Sequence, residues 1–138
     1  MKRLEDKVVI ITGATGGIGQ ATVKLFLEEG ANVLMVDLHE EDLIAVSEKI
    51  DSNKLSYLEG DVSNFLDNQK AVDLAVERYG GLDVFIANAG VSGDVLPITE
   101  YDEQVFDKVM AVNAKGPFLG LQAAIPSMNE RGGGSFVA

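Results

Sequence analysis

The 138-residue sequence contains no cysteine and no tryptophan, and only one histidine. Without cysteine there is no disulfide framework and no thiolate metal site, and His39 alone cannot build a histidine cage, so no metal centre is expected. Long apolar runs are missing too. The polar start Met1-Lys2-Arg3-Leu4-Glu5-Asp6-Lys7 leads only into Val8 to Thr12, too short for a signal peptide's apolar region or for a membrane span. Cations are scarce: 11 Lys and Arg stand against 22 Asp and Glu, a formal net charge of -11. With acidic residues spread through both halves, there is no basic footprint to neutralise nucleic-acid phosphates or anionic lipid. These absences leave a soluble cytoplasmic protein with neither a nucleic-acid nor a membrane partner as the expectation.

What is present reads as globular. The chain is 46% hydrophobic and 24% charged, with a mean hydropathy of +0.13, a composition that buries a core rather than staying disordered. Its length is that of one domain or a piece of one, residues 1–138, with no linker, repeat or second unit. Apolar periodicity alternates along it. Lys7 to Thr12 is a continuous β-branched run ended by glycine, the pattern of a strand buried on both faces of a parallel sheet. Gly17 to Glu29 follows as a helix with Ile18, Ala21, Val23, Leu25 and Phe26 as its apolar stripe, and Gly30 is a left-handed stop. Asn32 to Asp37 predicts a second strand, and Glu40 to Ile50 a second helix whose acidic first turn suits its dipole. Leu55 to Glu59 predicts a third strand, Ser63 to Tyr79 a helix with Ser63 as N-cap, and Leu82 to Ala87 a fourth strand. Tyr101 to about Asn129 contains Pro117 and Pro126 and predicts a kinked or broken helix. After Gly132-Gly133-Gly134, Ser135 to Ala138 begins a fifth strand. Uninterrupted alternation of strand and helix implies right-handed crossovers and an α/β fold, an open parallel sheet with helices on both faces.

The chemistry-bearing motif is Thr12-Gly13-Ala14-Thr15-Gly16-Gly17-Ile18-Gly19, between the first strand and first helix, where a dinucleotide pyrophosphate meets a helix N-terminus. Gly13 allows a sharp turn out of the strand, Gly17 removes a Cβ that would keep phosphates from the backbone N–H groups, and Gly19 lets helix and sheet approach. The bland alternative is a glycine-rich turn that is merely tight. Asp37 ends the second strand at the spacing of an acid that accepts hydrogen bonds from the adenosine ribose. Its charge would repel a 2′-phosphate, and neither Ala14, Thr15 nor Leu38 supplies a cation to hold one, so NAD rather than NADP is the expected cofactor. A strand-end acid capping the next helix is the plainer reading.

With this loop, Asp37, Asp61-Val62, Asn88-Ala89-Gly90 and Asn113 in order, the whole chain resembles the N-terminal half of a classical short-chain dehydrogenase/reductase. Thr12, Gly13, Gly17 and Gly19 meet that family's Thr-Gly-x-x-x-Gly-x-Gly pattern. Gly13, Gly16 and Gly19 also fit the Gly-x-x-Gly-x-x-Gly of the extended, nucleotide-sugar branch, and Asn88-Ala89-Gly90 decides for the former. The resemblance implies a Rossmann-type doubly wound sheet that binds NAD through Gly13, Thr15, Gly16, Gly17, Ile18, Gly19, Asp37 and Leu38. It also implies that Asp61 bonds the adenine amino group, that Val62 packs on the ring, and that Asn88, Ala89 and Gly90 give the cofactor close passage. Locally Asn88 is equally an amide bridging two loops, and where the family has a second asparagine this chain has Ala87. Asn113 reads as an amide in an apolar helix. The resemblance makes it the residue that interrupts the helix and holds a water in the proton relay, while an asparagine satisfying a kinked helix would look the same.

The implied reaction moves a hydride between nicotinamide C4 and a carbinol or carbonyl carbon of a small alcohol or ketone. It uses a tyrosine whose pKa is lowered by a lysine four residues later, and a serine that polarises the substrate oxygen. Tyr57, Tyr79 and Tyr101 are followed four positions on by Asp61, Asp83 and Val105, so no such pair stands in these residues. Ser135 begins its strand, whereas the family serine lies at the far end. The expectation is therefore a cofactor-binding half, truncated at the start of the fifth strand, that binds NAD without turnover. Leu119, Leu121 and Ile125 would be interface residues of a homodimer or homotetramer. A non-catalytic NAD-binding module or sensor is the alternative from another class; a methyltransferase-type domain is disfavoured by the loop spacing, Asn88-Ala89-Gly90 and Asn113. Val91 to Pro97 should border the substrate pocket, His39 should be a solvated loop residue, and Met35, Met110 and Met128 should pack inside.

Overall fold

The computed structural model describes residues 2–138. Five strands, β1 (Val8–Thr12), β2 (Asn32–Asp37), β3 (Leu55–Glu59), β4 (Val84–Ile86) and β5 (Ser135–Val137), form one sheet in the order β3-β2-β1-β4-β5. Every pairing is parallel, with Val9 opposite Val33 on one side and Val84 on the other. The doubly wound sheet expected from the alternation is the one formed. β1 lies at its centre, which explains a run of apolar side chains with no polar face: all five of its residues are buried. Val8 and Ile10, with Leu34 and Val36, face α3 (Phe65–Tyr79) and α5 (Gly116–Glu130) through Ala71, Val72, Ala75, Ala123, Ala124 and Met128. Val9 and Ile11, with Val33 and Met35, face α1 (Gly17–Glu28) and α2 (Glu40–Ile50) through Val23, Leu43 and Val46.

The stripe expected on α1 is narrower than its apolar residues suggested. Ile18 is 76% exposed and Leu25 is also exposed. Gly19 and Val23 are buried, with Phe26 and Leu27 packed beside them, a spacing of four and then three or four that selects one line of contact from a mixed set. Gly30 stops the helix with φ +94° as expected. At α3 the cap is Asn64, not Ser63: its side-chain oxygen accepts from the N–H groups of Leu66 (2.9 Å) and Asp67 (3.4 Å). Ser63 instead donates from its N–H and hydroxyl to Asp61 Oδ1, at 2.9 and 2.6 Å, and closes a local turn.

The segment after β4 is broken, but not where both prolines would break it. A single 3₁₀ turn (Ile98–Glu100) precedes α4 (Glu103–Met110), which Asp102 caps by accepting from Gln104 N–H at 2.8 Å. A π-helical turn (Ala111–Lys115) then leads into α5. Pro117 stands at the head of α5 and has no N–H for the Asn113 carbonyl, which accounts for the local widening. Pro126 lies inside α5 without ending it. Leu119 is buried in the chain's own core and is no interface residue, whereas Phe118, Leu121 and Ile125 are exposed, as is Met110. Met35 and Met128 are packed inside and His39 is exposed.

The amino ends of the strands are closed by polar contacts. Asp83 Oδ2 accepts from Val8 N–H (2.9 Å) and from Arg131 (3.0 Å), and Lys7 lies 3.8 Å from Oδ1. Lys54 donates to the Gly30 carbonyl at 3.0 Å and pairs with Glu5 and Asp6. Arg3 donates side-chain and backbone hydrogen bonds to Glu29, holding that carboxyl below its usual range and raising its own pKa.

Candidate cofactor-binding site

Strand order reverses between β1 and β4. The chain leaves β1 toward β2 and leaves β4 toward β5, so the loops at their carboxyl ends diverge and open a crevice, the place where open α/β sheets bind ligands. A cleft of about 410 Å³ opens there, lined by Gly13, Thr15, Gly16, Gly17, Ile18, Gly19, Asp37, Asn88, Ala89 and Gly90. Ten of the candidate residues are thus brought together.

The loop is built by close backbone approach. Gly13 has φ +59°, and a Cβ there would stand 2.7 Å from Ala89 Cα. At Gly19 a Cβ would collide with the Gly13 carbonyl and lie 2.7 Å from Ala14 Cα, so glycine is what lets α1 start so near β1. Around Gly17 nothing lies within 4 Å of where a Cβ would be. That space adjoins the first turn of α1, where the N–H groups of Gly17, Ile18 and Gly19 make no backbone hydrogen bond and no side chain caps the helix. Three uncapped donors at the positive end of a helix, beside open space, fit a diphosphate.

Asp37 joins this loop. Its Oδ2 accepts from Thr15 N–H (2.9 Å) and Thr15 hydroxyl (2.7 Å), and its Oδ1 accepts from Leu38 N–H (2.9 Å). A carboxylate has about four acceptor positions, and with these three taken one remains, on Oδ1, for a hydroxyl at the rim. No lysine or arginine lines the cleft. On the far side Asn88 Nδ2 donates to the carbonyls of Thr12 and Gly13, each at 3.1 Å, and Ala89 N–H donates to Thr12 hydroxyl at 3.1 Å. These bonds lock the β1 and β4 loops together across the crevice.

Asp61 and Val62 stand apart from that lining, on the loop after β3, where Asp61 Oδ1 is engaged by Ser63. Asn113 is exposed, so the apolar setting expected for it is not found. Its side chain is nonetheless satisfied: Oδ1 accepts from Val91 N–H and Nδ2 donates to the Val91 carbonyl, both at 2.8 Å. The π turn thereby grips the loop after β4. A second cleft, of about 490 Å³, lies between that loop and α4, lined by Gly90, Val91, Ser92, Asp94, Val105, Lys108 and Val109, and Gly90 belongs to both. Sequence reasoning named Thr15 without its bonds to Asp37, and did not name Gln20 or Asn68. Gln20 Nε2 donates to the Thr15 carbonyl, and Asn68 to the carbonyls of Val62 and Asn64. Only a polar residue inside a buried helical stripe, as at Asn68, signals such a part in sequence.

The sequence model of the short chain dehydrogenase family matches residues 7–138. Among curated relatives, 3beta-hydroxysteroid dehydrogenase 2 of Eggerthella lenta is 38% identical over 97% of this chain and 52% of its own length. Short-chain dehydrogenase reductase 3b of Arabidopsis thaliana is 40% identical over 95% of this chain and 51% of its own. Among solved structures, levodione reductase superposes with a TM-score of 0.89 at 36% identity, covering 97% of this chain and 54% of that one. A short-chain dehydrogenase/reductase from Brucella melitensis, a glucose/ribitol dehydrogenase by name, gives a TM-score of 0.87 at 33% identity, covering 92% of this chain and 54% of that one. The chain belongs to the short-chain dehydrogenase family of oxidoreductases. It spans about half the length of the curated relatives it matches. Among the described residues no helix is long and apolar enough to cross a membrane, and no cluster of potential metal ligands occurs.

Proposed function

We propose that residues 1–138 form the NAD-binding part of an oxidoreductase that moves a hydride between NAD(H) and a secondary alcohol or ketone. The observation that carries this is the pairing, in one cleft, of uncapped α1 amides with a fixed Asp37 carboxylate and no cation. When bound, the nicotinamide ring supplies the hydride acceptor or donor. The N–H groups of Gly17, Ile18 and Gly19 receive the pyrophosphate, with Gly13 and Gly16 shaping the turn beneath it. Asp37, oriented by Thr15 and followed by Leu38, receives an adenosine ribose hydroxyl and rejects a 2′-phosphate by charge. Asp61 and Val62 border the adenine, and Asn88, Ala89 and Gly90 border the path toward the nicotinamide.

Asn113 holds the Val91 loop beside the reacting end, and its carbonyl, which receives no N–H from Pro117 four residues on, is the acceptor we assign to a relay water. The cleft that continues past Gly90 receives the small alcohol or carbonyl substrate. The general acid/base is assigned to no residue of 1–138. Pairing of α5 with a second copy through Phe118, Leu121 and Ile125 would give the dimer or tetramer. Calorimetric titration of the protein and its Asp37→Ser variant with NAD and NADP tests the cofactor reading. The wild type should prefer NAD, and the variant should raise the NADP/NAD affinity ratio by at least about tenfold; an unchanged ratio removes the assignment of Asp37. Hydride transfer is tested by NADH-linked turnover of the intact protein on secondary alcohols and ketones; cofactor binding without any turnover would leave the module or sensor reading.

A further inference from the structure

We infer that Asn68 is a positioning residue for the adenine end of the cofactor cleft, acting through the Val62 carbonyl; the inference rests on the dinucleotide reading above. Asn68 lies in the first turns of α3 and is only 4% exposed, in a region it shares with Thr12, Ala71 and Phe85. An amide in such a place needs a task, since an apolar side chain would pack there without a desolvation penalty. The helix itself does not need it. Its start is already capped by Asn64, and the Asn68 main-chain N–H already reaches the Asn64 carbonyl at 3.3 Å. What the side chain adds is a fork: Nδ2 donates at 2.9 Å to the Asn64 carbonyl and at 2.9 Å to the Val62 carbonyl, which precedes the helix.

The geometry of the sheet says why Val62 matters. The uncapped α1 amides stand over β1 and Asp37 ends β2, so phosphate and ribose run outward along the strand order β1, β2, β3. The base, projecting from the ribose away from the phosphates, next meets the loop after β3. Within that loop Ser63 and Asn64 close a turn on Asp61, and three further contacts tie it to β2 and α3. Gly60 N–H donates to the Asp37 carbonyl at 2.9 Å, Asp61 N–H donates to Asp67 Oδ2 at 3.0 Å, and Asn68 holds Val62. Of these only the Asn68 bond lies on the far side of Asp61 and Val62. The Val62 side chain meanwhile abuts Gly116 at the head of α5, where a Cβ would stand 3.1 Å from Val62 Cγ2. Asn68 therefore fixes Val62 between two helices and with it the floor offered to the base.

The test separates the two halves of the dinucleotide. Asn68→Leu is nearly isosteric and suits a helix and an apolar pocket, so the fold should persist; Asn68→Ser keeps a donor for the Asn64 carbonyl one turn back but cannot reach Val62. Binding of ADP-ribose and of nicotinamide mononucleotide is measured by calorimetry on the intact protein and both variants, with circular dichroism as the check on fold. Both variants should lose about tenfold in ADP-ribose affinity and leave nicotinamide mononucleotide affinity unchanged. Unchanged ADP-ribose affinity, equal losses for both probes, or restoration by serine would each overturn the role assigned to Asn68. Should the wild type bind neither probe, the dinucleotide reading falls and this assignment with it.

Discussion

At the amino ends of the strands, Asp83, Lys54 and Glu29 each hold two or more hydrogen bonds or ion pairs, whereas at the carboxyl ends the amides of Gly17, Ile18 and Gly19 hold none. Both ends carry strong polar groups and both sit on the same buried sheet. At the amino end they are matched inside the chain, so they can only hold the fold together. At the carboxyl end the fold accepts helix donors with no internal partner, and its glycines remove the side chains that would cover them. Groups that the chain leaves unmatched are the ones a ligand can match. Even at the binding end the framework is matched: Asn88 and Thr12 tie the two loops, and Thr15 holds Asp37.

Gly19 is where a substitution should cost most. Gly19→Val would drive a branched side chain into the Gly13 carbonyl and Ala14, both backbone and unable to swing aside. We expect a loss of about 3 kcal/mol or more in urea unfolding, together with loss of NAD binding; a variant of wild-type stability would mean that α1 does not depend on this approach. Asp83→Ala is the counterpart at the other end. It strands the buried Val8 N–H and frees Arg131, so stability should fall by about 2 kcal/mol while NAD affinity, measured below the unfolding transition, stays the same. A drop in affinity there would mean that the two ends are coupled through the sheet rather than separable.

How much of this was legible in the sequence follows from the range of the forces involved. β1, β2 and the glycine loop are specified locally: a β-branched run buried on both faces has no polar residue to misread, and the loop's spacing is fixed by its own turn. The α1 stripe was overread because hydrophobicity alone cannot tell Ile18, at the rim of the cleft, from Val23 beneath it. Asn64 took the cap from Ser63 because Asp61 had already claimed the serine hydroxyl, a competition that appears only once the loop is folded. Asn113 was found by its motif, but its partner is the backbone of Val91, and a backbone partner 22 residues away leaves no mark in residue type. The bonds from Thr15 to Asp37 and from Asn68 to Val62 are of the same kind: the residues were visible and their pairing was not.

At Gly17 a single methyl group should move stability and function in opposite directions. Gly17 stands at the first position of α1, and apart from its chain neighbours and the helix's own backbone a methyl group there would meet nothing within 4 Å. Gly17→Ala should therefore be tolerated by the fold and even stabilise it by about 0.4–1 kcal/mol, since alanine has less chain entropy to lose than glycine in a conformation both can adopt. The same methyl would occupy the space in front of the unmatched amides and keep a diphosphate at a distance. NAD affinity should fall by at least about tenfold, as expected from losing one charge-assisted hydrogen bond. Urea unfolding and calorimetric titration of the one variant read the two effects separately. If stability rises and affinity is kept, the pyrophosphate does not lie over Gly17 and the role of the loop must be reassigned; if stability falls, the space is not free and the first turn of α1 is packed by something other than a ligand.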